Sequence, residues 1–282
     1  MKKQVRSSIC IILLISSCSI YTIFEPDYWP ERGSENVITA FSFLMANNGH
    51  SSLSVDVTST IHDNLIRLDV PQETVLTGLI ATFNATGQSV YISSEEQTSG
   101  ITPHDFSSDV KYTVTALNGE TRDYTVRVYT TVDRSHLDGM IAGGGDVTRL
   151  DTSKITDMND LFFGRTDFNQ DISNWDVSSV TTMNNMFRGA RSFNHDIGNW
   201  DVSNVTNMGY MFYLANSFNQ DIGDWNVGKV SVMNYMFWGA TLFDQNLKPW
   251  AEHVTETGVN VSGFSTGDCP LTPAHHPYES WD

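Results

Sequence analysis

The chain has 282 residues, room for about two domains, and 40% of them are hydrophobic, which is enough to build packed cores. Its 33 acidic and 16 basic residues give a formal charge of −17, so its surface repels phosphate backbones and nucleic-acid binding is not expected. Such acidity favours metal cations or basic partners, although in most proteins it serves only solubility.

The N-terminus has the composition of an export signal. Lys2, Lys3 and Arg6 precede an apolar run from Ile9 to Ile15, which is too short to span a bilayer as a mature helix. The segment Ile15-Ser16-Ser17-Cys18 resembles a bacterial lipobox, in which an aliphatic and two small residues precede a cysteine. The resemblance implies that residues 1–17 are removed and that Cys18 is acylated through its thiolate. The alternatives are an ordinary signal peptide with an incidental cysteine and a small membrane anchor.

Lipidation would set the location of the mature protein. Removing residues 1–17 takes away three basic and no acidic residues, which leaves 13 basic against 33 acidic side chains and a formal charge of −20. Several acyl chains, palmitate among them, would hold it on a membrane where one chain anchors only marginally. An Asp directly after the lipidated cysteine would resemble an inner-membrane retention signal. This position is Ser19, so we expect the mature protein to be located at the outer membrane. Cys269 would be the one remaining thiol, which excludes an intramolecular disulfide.

After a polar spacer at residues 18–35, residues 36–130 have the pattern of an all-β domain. Short runs such as Val37–Phe43 and Val110–Ala116 are rich in β-branched and aromatic residues that alternate with period two. Asn118-Gly119 separates the last two runs and predicts a tight hairpin. Several short strands joined by turns predict a β-sandwich.

The same region resembles the cadherin-like β-sandwich of bacterial surface proteins. The resemblance is carried by "ITAFSF", "LIATFNATG", "EQTSGITPHDFS" and "VKYTVTALNGETRDYTVRV", with Asp105-Phe106 ahead of the closing strands. It implies a spacer or adhesive module rather than an active site. The calcium-ligand motifs of true cadherins are absent from the sequence, so the resemblance implies no calcium.

Residues 131–146 read as a linker and cap ahead of a repeated region. Three consecutive glycines, Gly143–Gly145, predict a flexible joint or a tight turn. A phosphate-binding loop is not expected, because neither G-K-[ST] nor G-x-G-x-x-G follows.

Residues 147–264 contain about four copies of a 25-residue repeat. The stretch "FNQDISNWDVSSVTTMNNMF", residues 168–187, returns 25 and 50 residues later with few changes. A fixed period of this length predicts a solenoid whose stacked copies share one core. The spacing of apolar residues within one copy predicts a strand at Trp175–Val177 and a two-turn helix over Met183–Ala190. The expected fold class is therefore mainly β plus α/β solenoid, a β-sandwich followed by a short leucine-rich-repeat-like solenoid.

The copies, for example "VTNMGYMFYLANSFNQDIGDW", resemble the repeats of BspA-like leucine-rich-repeat surface lipoproteins of bacteria. The resemblance covers about residues 140–264 and implies cell-surface binding, either adhesion to host or matrix proteins or to other cells, without enzyme activity. Residues 254–264 would be a worn partial copy that covers the last face, and residues 265–282 a loosely ordered tail.

Three rows of equivalent side chains are candidate binding features. The tryptophan row stands at the spacing of an inward leucine and predicts core, with sugar stacking as the alternative; its members are Trp175, Trp200, Trp225 and Trp250. Stacked carboxylates repel by roughly 1 kcal/mol per pair at water-like dielectric, so the acidic rows need a compensating partner. Backbone N–H groups of turns are the expected partner and calcium is the alternative. The two acidic rows are Asp171, Asp196, Asp221 and Asn246, and Asp151, Asp176, Asp201 and Asn226.

If ligands bind the strand side, as in other leucine-rich repeats, then Asp176, Asp201 and Asn226 point outward and form the binding surface.

No catalytic pattern stands out, because the sequence lacks H-E-x-x-H and G-x-S-x-G, and no cysteine has an assignable base. His275-His276 in the tail could hold metal only weakly. We therefore expect a lipid-anchored surface protein that recognises a protein or glycan ligand non-covalently, with no cofactor. The alternatives are a structural envelope lipoprotein without external ligand and a glycan-binding accessory protein.

Overall fold

The computed structural model describes residues 35–251, 259–265, 269–271 and 277. The expected signal segment, Cys18 and nearly all of the spacer lie outside these residues, as does most of the expected tail. The described part is mainly β with little helix. Its elements are β1 (Ile38–Phe43), β2 (Val57–Thr58), β3 (Thr60–His62), β4 (Leu65–Val70), β5 (Leu79–Ala85), β6 (Ser89–Ile92), β7 (Glu95–Glu96), β8 (Pro103–His104), β9 (Val110–Thr115), β10 (Thr121–Thr131), α1 (Arg134–Ala142), β11 (Leu150–Asp151) and the 3-10 turns Met45–Asn47 and Lys248–Trp250.

The first part of the chain forms two sheets that share one core. One sheet has the strand order β2-β1-β5-β8, and the other follows β3-β4-β10-β9-β6-β7. Their inner faces meet through aromatic side chains, with the ring of Phe41 5.2 Å from that of Tyr112 and at right angles to it. Phe106, from the Asp-Phe pair, is fully buried and lies 4.9 Å from Phe43. The sandwich-like arrangement predicted from the strand pattern is therefore present.

The hairpin predicted at Asn118-Gly119 is confirmed. It joins β9 to β10, which pair antiparallel with Thr115 opposite Thr121. Gly119 has φ +85°, a left-handed conformation that glycine adopts without steric cost. In β9 the side chains of Tyr112 and Val114 are buried while Thr113 is half-buried, as the period-two alternation predicts.

Backbone hydrogen bonds join each copy of the repeat to the next. From residue 183 to residue 189, alternate N–H groups donate to the carbonyls of residues 207 to 213 over 2.7–2.9 Å. Parallel bridges connect one position of successive copies, namely Asp157, Thr182, Asn207, Val232 and Asn260. Successive copies therefore lie against one another in register.

The strand predicted at Trp175–Val177 and the helix predicted over Met183–Ala190 are both wrong, since the first segment is irregular chain between two turns and the second is a series of turns. Asn185 and Gly189 have φ +56° and +73°, and a right-handed helix cannot continue through such residues. From residue 186 to residue 190, alternate N–H groups donate to the next copy and the others donate three residues back, so none makes the four-residue hydrogen bond of an α-helix. The helical spacing still identified the inward side chains correctly, because Met183, Phe187 and Ala190 are fully buried.

Aromatic columns fill the interior of the repeats. The rings of Phe162, Phe187, Phe212 and Phe237 stack nearly parallel at 5.4–5.5 Å between successive centroids. The four tryptophans of the repeated row are 1–4% exposed, and each indole N–H donates to a backbone carbonyl 28 residues earlier, as Trp225 does to Ile197 over 3.1 Å. The core interpretation of that row is confirmed, and its use as sugar-stacking platforms is wrong.

Helix α1 and strand β11 connect the sandwich to the repeats. Leu137 and Ile141 of α1 are buried in the hydrophobic core of the repeats, and the glycines that follow end the helix, with Gly144 at φ +71°. Strand β11 pairs in parallel with β10, which places Asp151 beside Thr131. The second sheet of the sandwich thus continues into the first copy of the repeat.

The junction is held by a buried carboxylate. Asp151 is 7% exposed and accepts hydrogen bonds from the Thr131 hydroxyl at 2.9 Å and from the Ser153 N–H at 3.1 Å. Burial alone would raise the pKa of Asp151, but these hydrogen bonds and the nearby charge of Arg67 outweigh it and lower that pKa.

We expect Asp151→Ala to lower the free energy of unfolding by about 1.5–3 kcal/mol at neutral pH, because the hydrogen bonds lost involve a charged group. A pKa lowered in the folded state stabilises the protein above the ordinary carboxyl range, and this stabilisation disappears as pH falls through the folded-state pKa. Denaturant unfolding at several pH values should therefore show the gap between wild type and Asp151→Ala closing in acid. Glu120→Ala, at an exposed carboxyl, is the control and should show no such gap. A gap that is independent of pH would contradict the assignment.

Candidate functional site

The outward positions of the repeat differ from copy to copy, and two of these columns carry aromatic residues. One column reads Asp160, Asn185, Tyr210 and Tyr235, and the other reads Phe163, Arg188, Tyr213 and Trp238. Because inward columns are nearly invariant, the differences indicate positions that packing does not dictate. We call one continuous surface formed by these columns the aromatic face; it consists of Phe163, Arg188, Tyr210, Tyr213, Tyr235 and Trp238.

The side chains of the aromatic face contact one another. The rings of Tyr210 and Tyr235 stack at 5.1 Å with 15° between their planes. Tyr213 is tilted 51° against Tyr210, and Trp238 is tilted 58° against Tyr235, with centroids 5.8 and 5.6 Å apart. The three tyrosines and Trp238 are half-buried, whereas Phe163 is 51% exposed. The result is a semi-rigid aromatic surface along successive copies.

The polar tips of these aromatic side chains have no protein partner within the described part of the chain. Neither the hydroxyls of Tyr210, Tyr213 and Tyr235 nor the indole N–H of Trp238 takes part in a hydrogen bond there. The interior tryptophans behave differently, since all four indole N–H groups donate to carbonyls. The aromatic face therefore offers apolar ring surface together with free hydrogen-bonding groups.

Two residues of the face hold an unfavourable backbone conformation. Tyr210 and Tyr235 have φ +56° and +54°, in the left-handed region that bulky side chains rarely adopt. Earlier copies place Asp160 and Asn185 at this position, and Asp and Asn tolerate that region better. Strained residues of this kind cluster at functional sites, where the strain is retained for a purpose.

Arg188 lies at the centre of the face. Its guanidinium carbon is 5.4 Å from the ring centroid of Phe163, 5.1 Å from that of Tyr210 and 4.9 Å from that of Tyr213. These distances are within the range of cation–π attraction. The rings fix the guanidinium in place without neutralising its charge.

The predicted binding residues Asp176, Asp201 and Asn226 are exposed, as expected, but they do not lie on a strand. Each side chain accepts the N–H two residues ahead in its own turn, as Asp176 does from Ser178 at 3.0 Å and Asp201 from Ser203 at 3.0 Å. Their role as a ligand site stays a prediction. The aromatic face was missed in the sequence, although comparing the copies column by column would have shown aromatic residues at variable positions.

The other acidic row has the same turn role. Asp171 accepts the N–H and the hydroxyl of Ser173, at 3.0 and 2.6 Å, and Asp196 and Asp221 accept the N–H of Gly198 and Gly223. The hydrogen bonds from Ser173 lower the pKa of Asp171, so the carboxylate form is favoured. The expected turn partner of the carboxylates is thus confirmed. In the described residues no three His, Cys, Asp or Glu side chains are grouped to hold a metal, and calcium stays an untested alternative.

The other residues singled out in the sequence do not form part of a site in the described residues. Cys18, His275 and His276 lie outside the described residues. Burial raises the pKa of the Cys269 thiol to about 11, which keeps it protonated, and its sulfur is 3.8 Å from the carbonyl of Phe243. Among the described residues, no helix combines the length and the apolar composition needed to cross a membrane.

Two protein families match separate parts of the chain. Residues 135–250 are similar to the family described as "Mycoplasma protein of unknown function, DUF285". Residues 39–128 are similar to the family described as "SGBP, N-terminal". No curated protein matches the chain. The two family matches support the resemblance to BspA-like surface proteins and a surface-associated role.

Two solved structures are similar to part of the chain. A candidate glycoside hydrolase from Bacteroides thetaiotaomicron is 26% identical over 38% of this chain and 27% of its own length, with a TM-score of 0.28. A candidate secreted protein from Bacteroides fragilis is 19% identical over 34% of this chain and 95% of its own length, with a TM-score of 0.24. This chain therefore spans little more than a quarter of the first structure.

Proposed function

We propose that this chain is a non-catalytic glycan-binding protein of the bacterial cell surface, and that it binds glycan chains on the aromatic face of its repeats. The observation that carries the proposal is the row of half-buried aromatic rings whose polar tips have no partner among the described residues. Pyranose rings present one face of C–H groups edged by hydroxyls. Tyrosine and tryptophan match this chemistry, because one side chain offers both an apolar ring and a hydrogen-bonding group.

The location of the aromatic residues favours the repeats over the sandwich as the binding part. In the described sandwich, the phenylalanines and Tyr112, Tyr124 and Tyr129 are buried, and Tyr91 is the one half-buried aromatic residue. The match of this region to the SGBP N-terminal family supports a glycan-binding role for the protein as a whole. The cadherin-like sandwich would then be a spacer that carries the repeats.

The proposal also includes the repeats as a rigid support for the aromatic face and lipid as the membrane anchor. The stacked copies form a short solenoid, which holds the aromatic face rigid and reduces the entropy lost on binding. Lipid on Cys18 holds the protein on the outer membrane, with the spacer at residues 18–35 between membrane and sandwich. Adhesion to a protein ligand through Asp176, Asp201 and Asn226 is the second candidate, supported by their outward position.

Glycan binding can be measured with the purified protein and a panel of soluble polysaccharides in affinity electrophoresis and calorimetry. We expect Trp238→Ala to weaken binding by about 2 kcal/mol, roughly 30-fold, as for a central aromatic anchor. Leu117→Ala is the matched control, since Leu117 is 72% exposed at the remote hairpin. If wild type binds no polysaccharide, or if Trp238→Ala binds as well as wild type, the proposed site is wrong.

Surface location and anchoring are tested in cells. Cys18→Ser should move the protein from the membrane fraction to the soluble fraction without changing glycan affinity. Protease added to intact cells should degrade the wild-type protein. Survival of the protein under that treatment would favour a structural envelope protein that faces inward.

A further inference from the structure

Arg188 is set apart from the other half-buried arginines because, in the part of the chain that the structure describes, it has neither a carboxylate partner nor a short side-chain hydrogen bond. The guanidinium groups of Arg67, Arg127, Arg134 and Arg149 each lie 2.6–2.9 Å from an Asp oxygen. Arg122 has an amide partner, with its Nε 2.8 Å from the Asn64 side-chain oxygen. Within the described residues Arg188 makes no ion pair, and its one side-chain hydrogen bond is a long contact of 3.3 Å to Asn185.

This absence contrasts with the composition of the protein. Acidic residues outnumber basic ones by 33 to 16, so an arginine without a carboxylate neighbour is not explained by a shortage of acids. Three aromatic rings occupy its surroundings instead. Rings orient a guanidinium and shield part of it from water, which strengthens its interaction with an incoming anion. The remaining N–H donors of Arg188 are free to bind that anion.

We propose that the aromatic face selects acidic glycans and that Arg188 binds the carboxylate of a uronic acid residue. The inference rests on the proposed glycan-binding function and specifies its ligand. A planar carboxylate matches the two-pronged donor geometry of guanidinium, which lysine could not reproduce. The sugar ring that bears the carboxylate stacks on a ring beside Arg188, and neighbouring sugars extend along Tyr213 and Trp238. The overall negative charge of the protein does not prevent this, because salt screens charges beyond about 8–10 Å.

The test compares uronic-acid polysaccharides with the same polysaccharides after carboxyl reduction, which replaces each carboxylate with a neutral hydroxymethyl group. Wild type should bind the acidic form of its preferred chain roughly 10- to 100-fold more tightly than the reduced form, the range for a hydrogen bond to a charged group. Arg188→Gln should abolish this preference, so that the variant binds the acidic and the reduced forms with equal affinity. Arg191→Gln makes the same charge change at an exposed arginine in the same copy and should retain the preference.

The possible outcomes distinguish failure of the proposed role of Arg188 from failure of the proposed glycan binding. Equal binding of acidic and reduced chains by wild type overturns the role of Arg188 and leaves glycan binding intact. The same ratio in wild type and Arg188→Gln overturns it as well. Absence of binding to acidic, reduced and neutral polysaccharides alike overturns both proposals. Circular dichroism and the melting temperature of each variant establish that it is folded.

Discussion

Replacing Phe212 with alanine is expected to lower the free energy of unfolding by about 3–5 kcal/mol, the largest effect of any single substitution considered for this chain. Phe212 is fully buried and stacks between Phe187 and Phe237, each at 5.5 Å. Its ring centroid also lies 4.0 Å from that of Phe218, six residues later in the chain. Removing the ring leaves a cavity. This cavity cannot collapse, because backbone hydrogen bonds hold the copy to both of its neighbours.

The control for Phe212→Ala is Phe163→Ala, because Phe163 is 51% exposed and lies outside the buried stack. We expect that variant to lose less than about 1 kcal/mol. Denaturant titrations followed by tryptophan fluorescence measure both, since four tryptophans are buried in the repeats. Each copy is stabilised chiefly by its neighbours, so Phe212→Ala should also reduce the cooperativity of unfolding. Equal losses for the two variants would contradict the stacked arrangement of the copies.

The interior of the repeats could be predicted from the sequence, because the same positions of each 25-residue copy are buried. Equivalent tryptophans, methionines and phenylalanines recur every 25 residues, because the close packing of an inward position constrains the size and shape of apolar side chains. The local backbone could not be predicted in the same way. Inward spacing of Met183, Met186 and Phe187 is shared by a helix and by turns that donate hydrogen bonds to the next copy. What distinguishes the two is the left-handed conformation at Asn185 and Gly189, for which Asn and Gly were the available signal.

The candidate site was harder to predict for the opposite reason. Repetition draws attention to residues that recur, such as Asp176 and Asp201, and these form local turns. The aromatic face is built from columns in which the residue changes along the copies, and its members come together only when copies lie side by side. Tyr213 and Trp238 are 25 residues apart in sequence and share one column. Outward columns in which the copies differ are therefore the informative ones for function.

The substitution Tyr235→Asn is expected to separate binding from stability. It places at residue 235 the amino acid that an earlier copy uses at residue 185, where the Asn185 amide donates to Asn184 over 2.8 Å. Asn234 precedes residue 235 as Asn184 precedes Asn185, so the same hydrogen bond can form. Relief of about 1 kcal/mol of backbone strain offsets the lost stacking on Tyr210 and Trp238, worth about 0.5–1.5 kcal/mol per pair. Stability should fall by no more than about 2 kcal/mol, while glycan affinity should fall roughly 30-fold.

Tyr235→Phe is the companion variant that makes this result interpretable. It keeps the ring and the left-handed strain and removes only the hydroxyl, so its affinity should lie between those of wild type and Tyr235→Asn. Thermal unfolding and calorimetric titration with the preferred polysaccharide measure the two quantities side by side. If Tyr235→Asn binds as tightly as wild type, the strained tyrosine has no part in recognition. If it instead unfolds several kcal/mol more easily, the ring is a packing element, and its unfavourable backbone conformation is maintained by the core rather than by function.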